Sequence, residues 1–174
     1  MRHLQPAWVN WLELCRRSGI TTSLDTNWDP AERWEGVCEL LPLIDVFLPN
    51  EAEALAISQQ TDVFSAARTL AQRGSLVVVK RGENGALAVK GEHFWELRMS
   101  ESQIRPNDIV DTTGAGDNFD AGFLCAWLRR EKIDDCLTLA HKCAVSSLGY
   151  PGGVAGQICE SDIVSKGTSP EICE

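Results

Sequence analysis

Apolar and polar positions along the chain alternate between a helical and an extended period, and glycine or proline marks most of the changes. From Pro6 to Ser18 the residues Trp8, Leu12, Leu14 and Cys15 recur at roughly helical spacing, and Gly19 follows as a stop. Ile20 to Leu24 is short and rich in β-branched residues, which reads as a strand ending in the turn-forming Asp25-Thr26-Asn27. Pro30, with Asp29 as N-cap, opens a helix predicted to reach about Leu41. A second strand, Leu43 to Leu48, closes at Pro49-Asn50 and leads into a helix from Glu51 to about Ile57. A third, about Val63 to Arg73, is capped by Thr61 or Asp62 and stopped by Gly74. It delivers the chain to Leu76-Val77-Val78-Val79, an apolar run that calls for burial on both faces, as in a parallel sheet covered by helices.

The pattern then changes. Ala86 to Val89 and His93 to Arg98 are strands joined through Lys90-Gly91-Glu92, and such short glycine turns predict antiparallel neighbours at one edge of the sheet. A strand around Ile104 to Val110 is predicted to feed a turn of small residues, Asp111 to Gly116. The helix behind it runs to about Arg130 and is apolar nearly all round (Phe119, Phe123, Leu124, Ala126, Trp127, Leu128), so it should be buried. The last long helix, about Asp134 to Leu148, ends in Gly149-Tyr150-Pro151-Gly152-Gly153. Strands alternating with helices define an α/β fold of three layers, with a mostly parallel sheet between helices.

With 174 residues and 44% apolar content, one domain over 1–157 with a polar tail over 158–174 is expected. The net charge of −9, with no offsetting cluster of Lys and Arg, argues against nucleic acid or an anionic membrane as partner. Arg2, Glu13, Arg16 and Arg17 break up the first twenty residues, which do not read as a signal peptide, and a cytoplasmic location is expected. The seven cysteines form no CxxC pair, and reduced thiols are the expectation.

In an open α/β sheet ligands bind beyond the carboxyl ends of the strands. Four polar clusters fall at such ends: Asp25 with Asn27, Asn50 with Glu53, Lys80 with Arg81, and Asp111 through Asp117. The last is the most specific. A strand, a glycine turn and a helix start leave backbone N–H groups without intrahelical partners, and the helix dipole adds about half a positive charge, which suits an anion. Gly114 and Gly116 let the backbone approach it closely, and Asp117 on the rim is placed to take a proton from a hydroxyl attacking phosphorus. Asn50 and Glu53 read either as a capping box or as an amide and a carboxylate holding water around Mg²⁺. Lys80 and Arg81 read either as a solvated turn or as cations offsetting phosphate charge, and Asp111 either braces the glycine turn or serves it chemically.

The stretch Asp111-Thr112-Thr113-Gly114-Ala115-Gly116-Asp117-Asn118-Phe119-Asp120-Ala121-Gly122 resembles the second signature of the PfkB (ribokinase-like) carbohydrate kinases, and the resemblance extends over about residues 8 to 157. It implies a Rossmann-like ribokinase fold and transfer of phosphate from ATP to an alcohol, with Asp117 as base and Gly114, Ala115 and Gly116 as anion hole. Asn50-Glu51-Ala52-Glu53 resembles the family's NxxE motif near metal and phosphates, and Asp25 with Asn27 its DxN segment on the substrate side. Lys80, Gly82, Gly85 and Thr112 match positions around the nucleotide. Asp111 and Thr113 match positions that help hold a monovalent cation such as K⁺, with Gly152, Gly153 and Gly156 as the accompanying loop. Only the C-terminal part of the family pattern is matched. The first glycine-rich signature, the N-terminal strands and the lid are absent, which leaves the acceptor unspecified and keeps two other readings: a nucleotide-binding remnant without turnover, and an interaction domain. A sheet cut in this way exposes an edge, and self-association into homo-oligomers is an expectation of that edge.

Overall fold

The computed structural model of the protein describes residues 5–30, 33–34, 36–98 and 109–159. The tail from 160 onward and the segment 104–108 lie outside them. Among the described residues six helices, α1 (Gln5–Arg17), α2 (Val37–Leu40), α3 (Glu51–Ser58), α4 (Val63–Ala71), α5 (Ala115–Leu128) and α6 (Ile133–Leu148), surround a sheet. The sheet contains β1 (Ser23–Leu24), β2 (Val46–Phe47), β3 (Leu76–Lys80), β4 (Ala86–Lys90) and β5 (His93–Leu97), in spatial order β1-β2-β3-β4-β5. The first three strands are parallel, and β4 and β5 add on antiparallel, so the sheet is mixed.

Alternation along the strands divides the core between two faces. Phe47, Val77, Val79, Leu87 and Val89 point to one side, onto Ala54 and Ile57 of α3 and Val63, Ala66, Ala67 and Leu70 of α4. Val46, Leu48, Leu76, Val78, Ala86 and Ala88 point to the other, onto Phe119, Phe123 and Ala126 of α5 and Cys136, Leu137 and Ala140 of α6. A period of two buried on both sides is the signature of a sheet between helix layers. Each large side chain so enclosed contributes about 1.5–3 kcal/mol relative to exposure. Among the described residues no helix is long and apolar enough to cross a membrane.

Several expected elements are shorter or broken. Only Ser23 and Leu24 pair in the first strand, because Asp45 inserts its carboxylate before the ladder and accepts the Thr22 N–H at 2.8 Å. The helix expected from Pro30 begins only at Val37. Trp34 (φ 48°) and Gly36 (φ 88°) lie in the left-handed region, where a right-handed helix cannot run, and Leu41–Leu43 continues as a 3-10 turn containing Pro42. Asp29 still caps, accepting from the amides of Arg33 and Trp34 at 3.1 and 3.2 Å, but over a turn. Ile109 and Val110 are exposed and form no strand: the amides of Val110 and Asp111 bond Leu148 O at the end of α6, so this stretch follows the helix instead of a sheet neighbour.

Candidate active site at the strand ends

The carboxyl ends of β1, β2 and β3 lie side by side, and each delivers a polar group. Asn50 forms an isolated parallel bridge with Lys80, and Lys80 N–H bonds Pro49 O at 3.0 Å. Asp25 follows β1 directly. The Lys80 ammonium lies 3.0 Å from Asp25 Oδ1 and donates to both oxygens of Asp120, at 3.1 and 3.0 Å. Arg81, the next residue, points to the opposite face of the strand. It pairs with Glu51 (3.4 Å) and Glu96 (3.1 Å) and covers the Phe64 ring, so Lys80 is the cation of the pair that faces the site. Gly82 and Gly85 bound the tight turn into β4, with φ of 55° and 84°.

Glu53 is 3% exposed, and its Oε2 accepts from Asn50 N–H (3.0 Å) and from Thr26 Oγ1 (3.2 Å). Asn50 Oδ1 in turn accepts from Glu53 N–H at 2.9 Å. The Asn50/Glu53 pair is therefore a capping box that also ties the loop after β1 to the start of α3. Among the described residues no group of three or more His, Cys, Asp or Glu side chains is placed to hold a metal ion.

The glycine turn stands opposite. Gly114, at φ 75°, is the N-cap of α5, and its carbonyl accepts both the backbone N–H (2.9 Å) and the side-chain amide (2.8 Å) of Asn118. Ala115 N–H turns inward to Thr112 O at 3.2 Å. The amides of Gly116 and Asp117 are then the helix-start donors with no carbonyl four residues back in the helix, and they are the ones suited to an anion. A Cβ on Gly116 would lie 3.8 Å from Lys80 Nζ, so cation and turn share one space. Asp117 is exposed on the first turn of α5, and Asn27, Thr112 and Thr113 are exposed as well.

The turn is braced from behind. Asp111 Oδ1 accepts from Thr113 N–H (2.9 Å) and Oδ2 from Gly152 N–H (2.8 Å), and these donors hold its carboxyl down at about 2. Asn118 Nδ2 also donates to Gly153 O at 2.9 Å, and a Cβ on Gly114 would lie 2.6 Å from Gly153 Cα. The Gly152-Gly153 loop and the anion turn therefore pack backbone on backbone, stapled by Asp111 and Asn118.

Asn118 and Asp120 were not singled out by the sequence pattern. Both are buried polar residues in an otherwise apolar helix, at 5% and 8% exposure, and that incongruity is the signal that could have found them. Burial pushes the Asp120 carboxyl up, to about 8, against the opposing pull of the Lys80 ammonium.

An open α/β sheet with an anion turn, a facing lysine and an exposed carboxylate at its strand ends has the donors and the cation that suit a phosphate group. Residues 4–158 match the model of the pfkB family carbohydrate kinases, and the chain belongs to that family. The chain is 41% identical over 102 residues to the cytidine kinase of Thermococcus kodakarensis, covering 58% of this chain and 36% of that protein. It is 32% identical over 137 residues to the fructoselysine 6-kinase of Shigella flexneri, covering 78% and 48%. Among solved structures it superposes on adenosine kinase from Sinorhizobium meliloti with a TM-score of 0.73 at 27% identity, over 84% of this chain and 45% of that one. For fold alone, Arabidopsis thaliana ribokinase complexed with ribose and ATP gives 0.76 at 23% identity, over 91% and 51%. The chain spans about half or less of the length of these relatives.

Proposed function

We propose that the site transfers phosphate from ATP to a hydroxyl group of a sugar or sugar-like acceptor. The observation that carries this reading is the approach of the Lys80 ammonium to Gly116 at the start of α5, one residue before the exposed Asp117. Phosphoryl transfer asks for positioning and charge stabilisation more than for covalent help. The amides and Lys80 receive the charge on the moving phosphoryl group, and the turn of Gly114, Ala115 and Gly116 shapes the hole. Asp117 takes the proton of the acceptor hydroxyl as its oxygen attacks phosphorus and ADP leaves. Asp25 and Asn27 belong to the acceptor side, while Thr112, Gly82 and Gly85 line the nucleotide side.

The donor set limits how metals fit. Glu53 is enclosed with Oε2 already bonded twice, and Asn50 Oδ1 is bonded to Glu53, so these residues suit Mg²⁺ only through its bound waters. Magnesium bound there would neutralise phosphate charge. Asp111 stays ionised over a wide pH range, and with the Thr113 and Gly152–Gly153 backbone beside it the corner suits a monovalent cation that would stiffen the turn.

The test is ADP release with ATP, Mg²⁺ and a panel of sugars and nucleosides, on the wild type and Asp117→Asn. Acceptor-dependent turnover is expected to fall by about a hundredfold to ten-thousandfold in the variant, with ATP binding retained. Turnover surviving in Asp117→Asn would remove the base from the account. A second reading, nucleotide binding without turnover, is favoured by the outer edge of β1, which has no strand neighbour among the described residues.

A further inference from the structure

We propose that Asp120 is a positioning residue, which, with Asp25, holds the Lys80 ammonium against the anion turn so that an arriving phosphate meets a cation already in place. The inference rests on the reading of the site given above and adds a residue to it. Asp120 follows Asp117 by three positions on α5, so both lie on one side of the helix start, yet Asp117 is exposed and Asp120 only 8% exposed. An acid so enclosed in a helix whose neighbours are Phe119 and Phe123 is costly unless a partner offsets it, and both of its oxygens are spent on Lys80.

The consequence falls on the lysine. A lysine carries a compact charge on a flexible four-carbon stem, and fixing that stem costs rotamer entropy on the order of 2 kcal/mol. Asp25 alone would not place the ammonium by the turn, because its side chain is 36% exposed and lies on the loop side. Asp120 is the inner anchor: it rides on the same helix whose N-terminus presents the amides, so the distance from ammonium to amides is fixed within one rigid element.

The test is a double-mutant cycle read by ATP–Mg²⁺ affinity, with titrations carried to millimolar ATP, on wild type, Asp120→Ala, Lys80→Met and the double variant. Asp120→Ala is expected to weaken ATP on the order of tenfold, and to change it less than about twofold when Lys80 is already Met. A purely structural role for Asp120 would weaken binding in both backgrounds and would overturn the proposal, as would unchanged affinity in Asp120→Ala alone. Asp120→Asn, which keeps one acceptor for the ammonium, is expected to recover part of the loss, and a variant as weak as Asp120→Ala would also count against the anchor. Absence of ATP binding in the wild type is a separate result: it overturns the reading of the site itself, and the inference with it.

Discussion

Asp111 shows how one carboxylate at this site joins two pieces of backbone distant in sequence. Its oxygens accept from Thr113 and Gly152 amides, and the folded group titrates near 2, below its ordinary 3.8. A depressed carboxyl contributes stability that is fully present above the ordinary value and is lost as pH falls toward the folded one. Between about pH 4 and pH 2 the loop around Gly152 should therefore come loose from the anion turn. Hydrogen exchange of the 149–156 amides should rise over that window in the wild type, and Asp111→Asn should already be high at pH 5 and change less. Equal pH dependence in both would show that Asp111 does not brace the loop. The role of Asp111 as a brace was legible in its place before the turn, and the resemblance set the Gly152 loop beside it; that the carboxylate itself accepts from the Gly152 N–H was not, because nothing local signals a hydrogen bond 41 positions away. Asn118 and Asp120 stayed hidden for a related reason, since their partners Gly153 and Lys80 come from other parts of the chain.

At the scale of elements, α5 carries two glycines with opposite demands. Gly122 faces α6, where a Cβ would stand 2.9 Å from Ala140 Cα and from Cys143 Sγ, so the helices touch through its missing side chain. Gly116 faces open space, with only the Lys80 ammonium within 4 Å of the Cβ position. Alanine is better than glycine in a helix by about 1 kcal/mol, but overpacking costs about 1–3 kcal/mol. Gly122→Ala should thus lower the melting temperature and Gly116→Ala should hold or raise it, as thermal denaturation will show; a Gly122→Ala variant as stable as wild type would contradict the close packing of α5 on α6. The elements themselves were mostly legible: α3, α4, α5 and α6 and the β3-β4-β5 hairpins follow period and punctuation closely. The misread stretches are those where a local device interrupted the pattern. The Asp45 carboxylate shortens the strand at Thr22, and left-handed residues at Trp34 and Gly36 delay α2.

For the molecule as a whole, alternation of helix and strand was enough to place the polar clusters on one edge, because connectivity in an α/β sheet brings all parallel strand ends to the same side. Asp25, Asn50 and Lys80 do meet there, with the glycine turn facing them. What alternation does not determine is the open flank. Helix α1, packed through Leu12 on Leu40 and Ile44, leaves Trp8, Trp11 and Leu14 exposed, and no pattern in the chain says what covers them. The site lies apart from that flank. If the start of α5, with Lys80, seats the phosphates of ATP as proposed, calorimetric titration with ATP and Mg²⁺ should give saturable binding by the wild type and binding at least tenfold weaker in Gly116→Ala, whose fold is unharmed but whose new methyl group occupies the anion space. No binding by the wild type, or equal binding by both, would rule that seat out.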